Sequence, residues 1–171
     1  MKAGPVAWLA RRRVALGFLA AVVALVAASP TQGSVVIGSV IALVGESIRV
    51  WAAGHLEKSR EVTMSGPYRF MRHPLYVGST VMGVGLAVAS RSFAVGLLVA
   101  TYLAVTLTAA IRNEEAFLRK RFGGAYDAYA AGAAPTVVRQ FSVARAIRNR
   151  EYRALAGVLT VVIVLALKAL W

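Results

Sequence analysis

Apolar runs of nearly membrane-spanning length dominate this chain and limit the folds that it can adopt. A transmembrane helix needs about 20 consecutive, mostly apolar residues. Five runs approach that length: Val14–Ala28, Ser34–Ala53, Leu75–Ala89, Phe93–Ile111 and Leu155–Trp171. With 58% hydrophobic residues and a mean hydropathy of +0.65, the chain is too apolar for an ordinary soluble domain. We therefore predict a single all-α, polytopic integral membrane domain over residues 1–171, with about five transmembrane helices.

The positive charge of the chain is distributed as in a membrane protein. The formal net charge is +13, and nearly all Lys and Arg fall between or before alternate apolar runs. The basic segments are Lys2–Arg13, Lys58–Arg72, Arg112–Arg121 and Arg139–Arg153. Cytoplasmic loops carry such an excess, and basic loops attract anionic headgroups. The pattern predicts a multi-pass protein with a cytoplasmic N-terminus in a bacterial-type cell membrane, in contact with membrane lipids and without a nucleic-acid partner.

The first apolar run has two interpretations. Val14–Ala28 is short for a span, and Val26-Ala27-Ala28 before Ser29 resembles a signal-peptidase site. Residues 1–28 are therefore either a first span or a cleaved signal peptide. Both interpretations place the following loop outside.

Metal and thiol chemistry are not expected. The chain has no Cys and two His, His55 and His73, whereas metal sites usually combine several Cys, His or carboxylate ligands. We predict no metal site. His55, with Lys58 and Arg60, is interpreted as part of a solvated loop that attracts lipid headgroups.

Two polar clusters at the ends of neighbouring apolar runs form the candidate functional site. Residues 66–78 contain two Arg, one His, two Tyr and two Pro, and the fourth apolar run ends in Arg112-Asn-Glu-Glu115. Polar groups at a bilayer edge are costly to desolvate, so such clusters indicate a site. The short link Ser90–Ser92 predicts a helical hairpin that brings both clusters to one depth. The helix after Glu115 is expected to continue through Arg121 and to stop near Gly123-Gly124.

Two other segments leave alternatives open. Glu46 and Arg49 are three residues apart and so lie on one helical face. They are interpreted either as a structural ion pair or as residues that line a site. Val137–Tyr152 carries apolar residues along one side and Arg elsewhere, which is typical of an interfacial amphipathic helix or of a basic linker.

The polar clusters resemble the membrane-embedded methyltransferases that include isoprenylcysteine carboxyl methyltransferases and phospholipid N-methyltransferases. The matching residues are Gly66-Pro-Tyr-Arg-Phe-Met-Arg-His-Pro-Leu-Tyr-Val-Gly78 and Glu114-Glu115-x-x-Leu118…Phe122-Gly-x-x-Tyr126-x-x-Tyr129. The resemblance covers about residues 40–130. It implies an isoprenylcysteine carboxyl methyltransferase-like enzyme that takes S-adenosyl-L-methionine as cofactor in a cytoplasmic pocket. It also implies a lipid-like or prenylated acceptor, with a carboxylate or amine, that enters from the bilayer.

The resemblance assigns roles to particular positions. The implied cofactor-binding residues are Tyr68, Arg72, His73, Pro74, Tyr76, Gly78, Gly83, Gly85, Glu114 and Glu115, and the implied catalytic residues are Arg72 and Glu115. Helical neighbours point about 100° apart, so Glu114 and Glu115 are not expected to face one pocket together. For Gly83 and Gly85, close helix–helix packing is the alternative to cofactor access. Tyr126 and Tyr129 are expected to brace the cytoplasmic lid.

Two further function classes remain open. Membrane sterol or steroid reductases, which use NADPH, resemble these methyltransferases in their carboxy-terminal half. A non-catalytic membrane scaffold is the third class, and it predicts that no cofactor changes the stability of the protein.

Overall fold

The computed structural model describes residues 17, 19–135 and 137–171, and the regular structure among them is entirely helical. The helices are α1 (19–27), α2 (Gln32–His55), α3 (Pro74–Ser90), α4 (Phe93–Phe122), α5 (Gly124–Ala130), α6 (Val143–Arg148) and α7 (Tyr152–Lys168). A short 3-10 helix, Gly66–Arg69, lies in the link between α2 and α3. The all-α prediction is confirmed for this part of the chain.

Two of these helices have the length and apolar character of a membrane span. They are α2, with 24 residues, and α4, with 30. The helices α3 and α7 have 17 residues each, which gives about 25 Å at 1.5 Å per residue, against a hydrocarbon core of about 30 Å. The figure of about five spans therefore stays a prediction. The choice between a first span and a signal peptide falls largely on residues outside those described.

Small residues bring α2 and α3 into direct backbone contact. Gly38, Ala42 and Gly45 of α2 face Gly78 and Gly85 of α3, which runs antiparallel to it. A Cβ atom added at Gly45 would lie 2.6 Å from the carbonyl oxygen of Gly78. Glycines allow such close approach between membrane helices, so this pair forms the tightest contact of the fold.

The predicted hairpin of the third and fourth apolar runs is confirmed. Pro74 occupies the first turn of α3, where its missing N–H leaves no bond unmade. Arg91 adopts a left-handed conformation (φ 48°) after α3, and the Ser92 side chain accepts from the backbone N–H of Val95 to begin α4. The helix ends at Gly123, with φ 50°, as the glycine pair predicted.

The helix α7 runs alongside this core from the polar end to the opposite end. There Leu165 packs with Val35 and Ala89, and Lys168 Nζ donates to the carbonyl oxygen of Leu25 at 2.9 Å. The polar ends of α2, α3, α4 and α7 therefore meet on one side of the molecule.

The amphipathic helix considered for Val137–Tyr152 is largely absent. Only Val143–Arg148 is α-helical before α7 begins, and residues 137–142 have no regular structure. The reason lies in contacts with the end of α2: the Phe141 ring lies against Gly54, and Asn149 Nδ2 donates to the carbonyl oxygen of Ala53 at 2.9 Å. Contacts with another element, rather than helix periodicity, set the path of this segment.

Candidate active site

A polar cleft lies between the start of α3, the end of α4 and the link from α2 to α3. Its volume is about 340 Å³, within the range of about 300–1,000 Å³ typical of small-molecule sites. Its charged lining residues are Glu57, Lys58, Glu61, Arg72 and Glu114, together with His73. The two polar clusters of the sequence therefore do meet in one concave site.

An ion-pair network connects the two clusters at the edge of this cleft. Glu115 Oε1 lies 3.2 Å from His73 Nε2 and 3.4 Å from Arg72 Nη1, and Glu115 Oε2 lies 3.5 Å from Arg119 Nη1. Glu114 Oε2 lies 3.9 Å from His73 Nδ1. Glu114 lines the cleft and Glu115 does not, so the two carboxylates face different surroundings, in the manner expected of helical neighbours.

Tyrosines form much of the remaining wall. Tyr129 donates its hydroxyl to the backbone oxygen of Tyr68 at 2.8 Å, and this bond ties α5 to the 3-10 helix. Tyr126 is 1% exposed, and the ring of Tyr76 lies 5.7 Å from that of His73. Burial raises the pKa of Tyr129 to about 12, so its hydroxyl remains a donor at neutral pH. These contacts give Tyr129 the position of a brace that also borders the cleft.

The glycines and the proline assigned to the cofactor lie elsewhere. Gly78 and Gly85 face α2, and Pro74 is buried in the first turn of α3. Gly83 faces Leu103 of α4, and none of these four residues lines the polar cleft. Gly78 and Gly85 thus make the close helix–helix contact that was the alternative to cofactor access, and a cofactor role for these four residues stays a prediction.

An apolar cavity of about 380 Å³ follows the cleft along the same pair of helices. On α3 the lining of the cavity begins at Ser79, about one turn after Tyr76, which lines the cleft. On α4 the lining of the cavity ends at Leu107, and the lining of the cleft begins at Asn113. Gly83 lines this cavity, and α1 and α7 close its other side. The hairpin thus offers a polar compartment and an apolar compartment in succession.

Sequence reasoning missed the residues that support the other cleft wall. Arg145 Nε lies 2.8 Å from Glu57 Oε1, and Arg139 Nη1 lies 2.6 Å from Glu61 Oε1. The hydrogen bond from Arg145 lowers the pKa of Glu57 below its usual value of 4.5. These pairs are 88 and 78 positions apart and carry no spacing signal, and neither an interfacial helix nor a basic linker predicts contacts with these carboxylates.

The predicted environment of His55 is wrong. This side chain is 5% exposed, with Nδ1 3.3 Å from Ser65 Oγ, whereas Lys58 and Arg60 are exposed as expected. The reason is that the link after α2 folds back, so that Gly66 lies against the imidazole ring.

The ion-pair interpretation of Glu46 and Arg49 is confirmed and extended. Arg49 Nε lies 3.6 Å from Glu46 Oε2 and 2.7 Å from Glu151 Oε1. One guanidinium therefore serves two buried carboxylates, one of them from the start of α7. Arg49 also donates to the carbonyl oxygen of Leu75 and to Ser79 Oγ of α3.

Comparisons with known proteins identify the family of the chain. Residues 23–125 match the family described as phospholipid methyltransferase. The nickel-cobalt-cadmium resistance protein NccN of Alcaligenes xylosoxydans xylosoxydans is 36% identical over 96 residues, which are 55% of this chain and 43% of that protein. The cobalt-zinc-cadmium resistance protein CzcN of Cupriavidus metallidurans is 36% identical over 88 residues, which are 50% of this chain and 39% of that protein.

The chain thus spans less than half the length of either relative. No solved structure matches it. The family match covers more than half of the chain and includes both polar clusters, and the chain belongs to the phospholipid methyltransferase family.

Proposed function

We propose that this protein is an integral membrane methyltransferase that uses S-adenosylmethionine and acts on a lipid-like acceptor entering from the bilayer. Membership of the family supports methyl transfer at a membrane. The observation that carries the finer proposal is the succession of a polar cleft and an apolar cavity along α3 and α4. A soluble cofactor and an apolar acceptor need two such compartments that meet.

The cleft has groups suited to each part of the cofactor. S-adenosylmethionine supplies an activated methyl group on a sulfonium centre, and carries a carboxylate, an ammonium, ribose hydroxyls and adenine. The guanidinium of Arg72, with its side chain 48% exposed, suits the carboxylate. Glu114 is 39% exposed and has His73 as its ion-pair partner at 3.9 Å, which leaves acceptor capacity for the ammonium. Tyr68 and Tyr76 offer aromatic walls for the adenine.

Glu115 is best assigned a positioning role at this site. Its carboxylate holds Arg72, His73 and Arg119 together and lies outside the cleft lining. Methyl transfer in a single displacement depends mainly on orientation and the exclusion of water, and a fixed network at the cleft edge serves both. When the acceptor is an amine, His73 is the group placed to take its proton.

The apolar cavity suits the tail of the acceptor. Met82, Leu86 and Leu103 contribute to its lining, and Ser79 marks the end nearest the cleft. A carboxylate or amine at the head of the acceptor would then reach the methyl group from the apolar side. With a cytoplasmic N-terminus and several spans, the polar end of the helices would face the cytoplasm, where the cofactor is dissolved.

The reductase alternative has less support. A nicotinamide dinucleotide phosphate presents several anionic groups, whereas among the described residues Lys58 and Arg72 are the Lys and Arg side chains that line the cleft. The names of the relatives refer to metal resistance and do not name a reaction. The family and the site therefore carry the proposal.

Calorimetry on detergent-purified protein tests this function. We expect S-adenosylmethionine and its demethylated product to bind, with the affinity falling about tenfold or more in Glu114→Gln and His73→Ala. The first variant loses a charge-assisted contact with the ammonium, and the second removes the side chain that holds Glu114 and Glu115 at the cleft. The control is Lys120→Ala, an exposed position outside the cleft. Binding of NADPH alone would favour a reductase, and a folded protein that binds neither compound would exclude the catalytic proposal.

A further inference from the structure

A segment beyond the family match holds one wall of the cleft in place. We define residues 139–149 as the strap. The backbone N–H of Ser142 and Nη1 of Arg145 donate to the carbonyl oxygen of Gly54 at 3.1 and 2.6 Å, and Asn149 Nδ2 donates to that of Leu56 at 2.9 Å. The last carbonyl groups of a helix have no partner within it. The strap supplies these partners for α2, at the point where the cleft wall of residues 56–63 begins.

The strap also contacts two carboxylates of that wall, in different ways. Arg139 contacts both oxygens of Glu61, at 2.6 and 2.8 Å. Arg145 contacts only Oε1 of Glu57, while Oε2 has its ion-pair contact with Arg60 Nη1 at 4.0 Å. Glu57 is therefore held through one oxygen and retains a second that can accept hydrogen bonds.

The remaining oxygen of Glu57 has the chemistry needed by a nucleoside. Glu57 lines the cleft, and its side chain is 19% exposed. The hydrogen bond from Arg145 lowers the pKa of Glu57, so the carboxylate is ionised at neutral pH. Its remaining oxygen has two lone pairs, which can accept from two donors. Paired hydroxyl groups are such donors.

We propose that Glu57 binds the ribose hydroxyls of the S-adenosyl ligand and that Arg145 is the residue that positions Glu57. This inference rests on the proposed function. In the cofactor the ammonium and the carboxylate share one carbon atom, so both fall near Arg72 and Glu114 on the α3–α4 side. Glu57 belongs to the opposite wall, where the remaining donors of the ligand are the ribose hydroxyls and the adenine amino group. The proposal assigns Glu57 to the hydroxyls, because two neighbouring donors match the lone pairs of a carboxylate. Arg145 lies outside residues 23–125 of the family match, so the match does not assign it.

The test is a cycle of binding measurements on the full chain in detergent. Its ligands are S-adenosylhomocysteine and the 2′,3′-dideoxy analogue of the same compound. We expect Glu57→Gln to weaken binding of the first by about tenfold to a hundredfold, the range for a hydrogen bond to a charged group. The dideoxy analogue should bind the unmodified protein and Glu57→Gln equally. Equal losses for both ligands would overturn the ribose assignment.

The role of Arg145 has its own readout. Arg145→Gln should weaken S-adenosylhomocysteine less than Glu57→Gln does, and adding it to Glu57→Gln should cause no further loss. Arg145→Lys, which keeps the positive charge and disturbs the carbonyl of Gly54 less, should retain part of the affinity. The control is Arg153→Gln, an exposed position that removes the same charge without a contact to Glu57. Additive losses in the double variant would show a general structural effect and overturn the positioning role.

Failure of this inference is distinguishable from failure of the proposed function. An unmodified protein that binds neither S-adenosylmethionine nor its product excludes both. An unmodified protein that binds them, with unchanged affinity in Glu57→Gln, excludes only the role of Glu57.

Discussion

The two faces of α3 differ in how tightly they are packed. The face toward α2 carries Gly78 and Gly85, where an added Cβ would meet the backbone of α2. The face toward α4 carries Gly83, where an added Cβ would meet the side chain of Leu103, and the apolar cavity lies on this side. One helix therefore has a face without free space and a face bordered by two compartments.

The two faces of α3 therefore have different roles: the face toward α2 supports the site, and the face toward α4 borders the volume in which a ligand can bind. Backbone contacts between α2 and α3 leave no freedom to adjust, whereas side chains on the α4 side leave volume that a ligand can fill. The His73 turn at the start of α3 is therefore attached to a rigid pair of helices, and the ligand compartments lie on the other side. Rigid support of this kind keeps site residues in position.

The largest expected effect comes from removing the guanidinium that joins α2, α3 and α7. Arg49→Leu leaves the carboxylates of Glu46 and Glu151 buried, at 3% and 6% exposed, without their shared cation. Breaking a buried ion pair in this way costs about 3–5 kcal/mol. Equilibrium unfolding in mixed micelles measures the loss of free energy of unfolding.

The matched control is the triple variant Arg49→Leu, Glu46→Gln, Glu151→Gln. Neutral amides remove the uncompensated charges, so the triple variant should recover most of the stability lost by Arg49→Leu. If Arg49→Leu lowered the free energy of unfolding by less than about 1 kcal/mol, the result would contradict a tightly packed contact between α2 and α3. Ion pairs contribute no more than that when solvent screens them.

A pair of alanine substitutions two residues apart compares the two faces directly. Gly85→Ala forces a methyl group against the backbone of Ala42 and Gly38 and should destabilise the protein by about 1–3 kcal/mol. Gly83→Ala meets side chains rather than backbone, the flexible end of Leu103 and Cγ1 of Val99, and alanine gains up to about 1 kcal/mol over glycine in a helix. Thermal unfolding in detergent measures the Tm of each variant, and we expect a lower Tm for Gly85→Ala but not for Gly83→Ala. Equal shifts would show that the two faces do not differ.

The sequence predicted the fold well where the signal was local. Apolar run length, the Ser90–Ser92 link and Gly123 defined the α3–α4 hairpin, and from it the meeting of His73 with Glu115 followed. The sequence did not decide the role of Gly85, because a glycine is equally compatible with close approach of a ligand and with close packing of a neighbouring helix. Only the position of Gly38 on the partner helix distinguishes these alternatives.

The site was predictable on one wall only. Arg72 and Glu114 belong to ordered motifs at the ends of joined helices, so connectivity brings them together. Glu57 and Arg145 pair across 88 positions, and no periodicity or turn residue in either segment indicates the other. Long-range ion pairs depend on the complete path of the chain, which a single sequence does not supply.

A smaller effect is expected where α5 closes over the cleft. Tyr129→Phe removes the hydrogen bond to the backbone oxygen of Tyr68 and should cost about 0.5–1.5 kcal/mol. Amide exchange of residues 66–71 should accelerate, while exchange in α2 should not. The comparison variant is Tyr102→Phe, since Tyr102 borders the apolar cavity on α4 instead. Unchanged exchange in residues 66–71 would contradict the bracing role.

The smallest effect is the pH dependence that the strap contributes. The pKa of Glu57 is lowered in the folded protein, chiefly by its hydrogen bond from Arg145. The carboxylate therefore stabilises the fold above the usual value of 4.5, and this contribution disappears as the pH falls through the folded-state pKa below it. Because Glu57 is near the surface, we expect less than about 1 kcal/mol. The free energy of unfolding, measured as a function of pH in acid, should lose this contribution in the unmodified protein and should depend less on pH in Arg145→Gln. Parallel pH profiles for the two proteins would mean that Arg145 does not hold the Glu57 carboxylate.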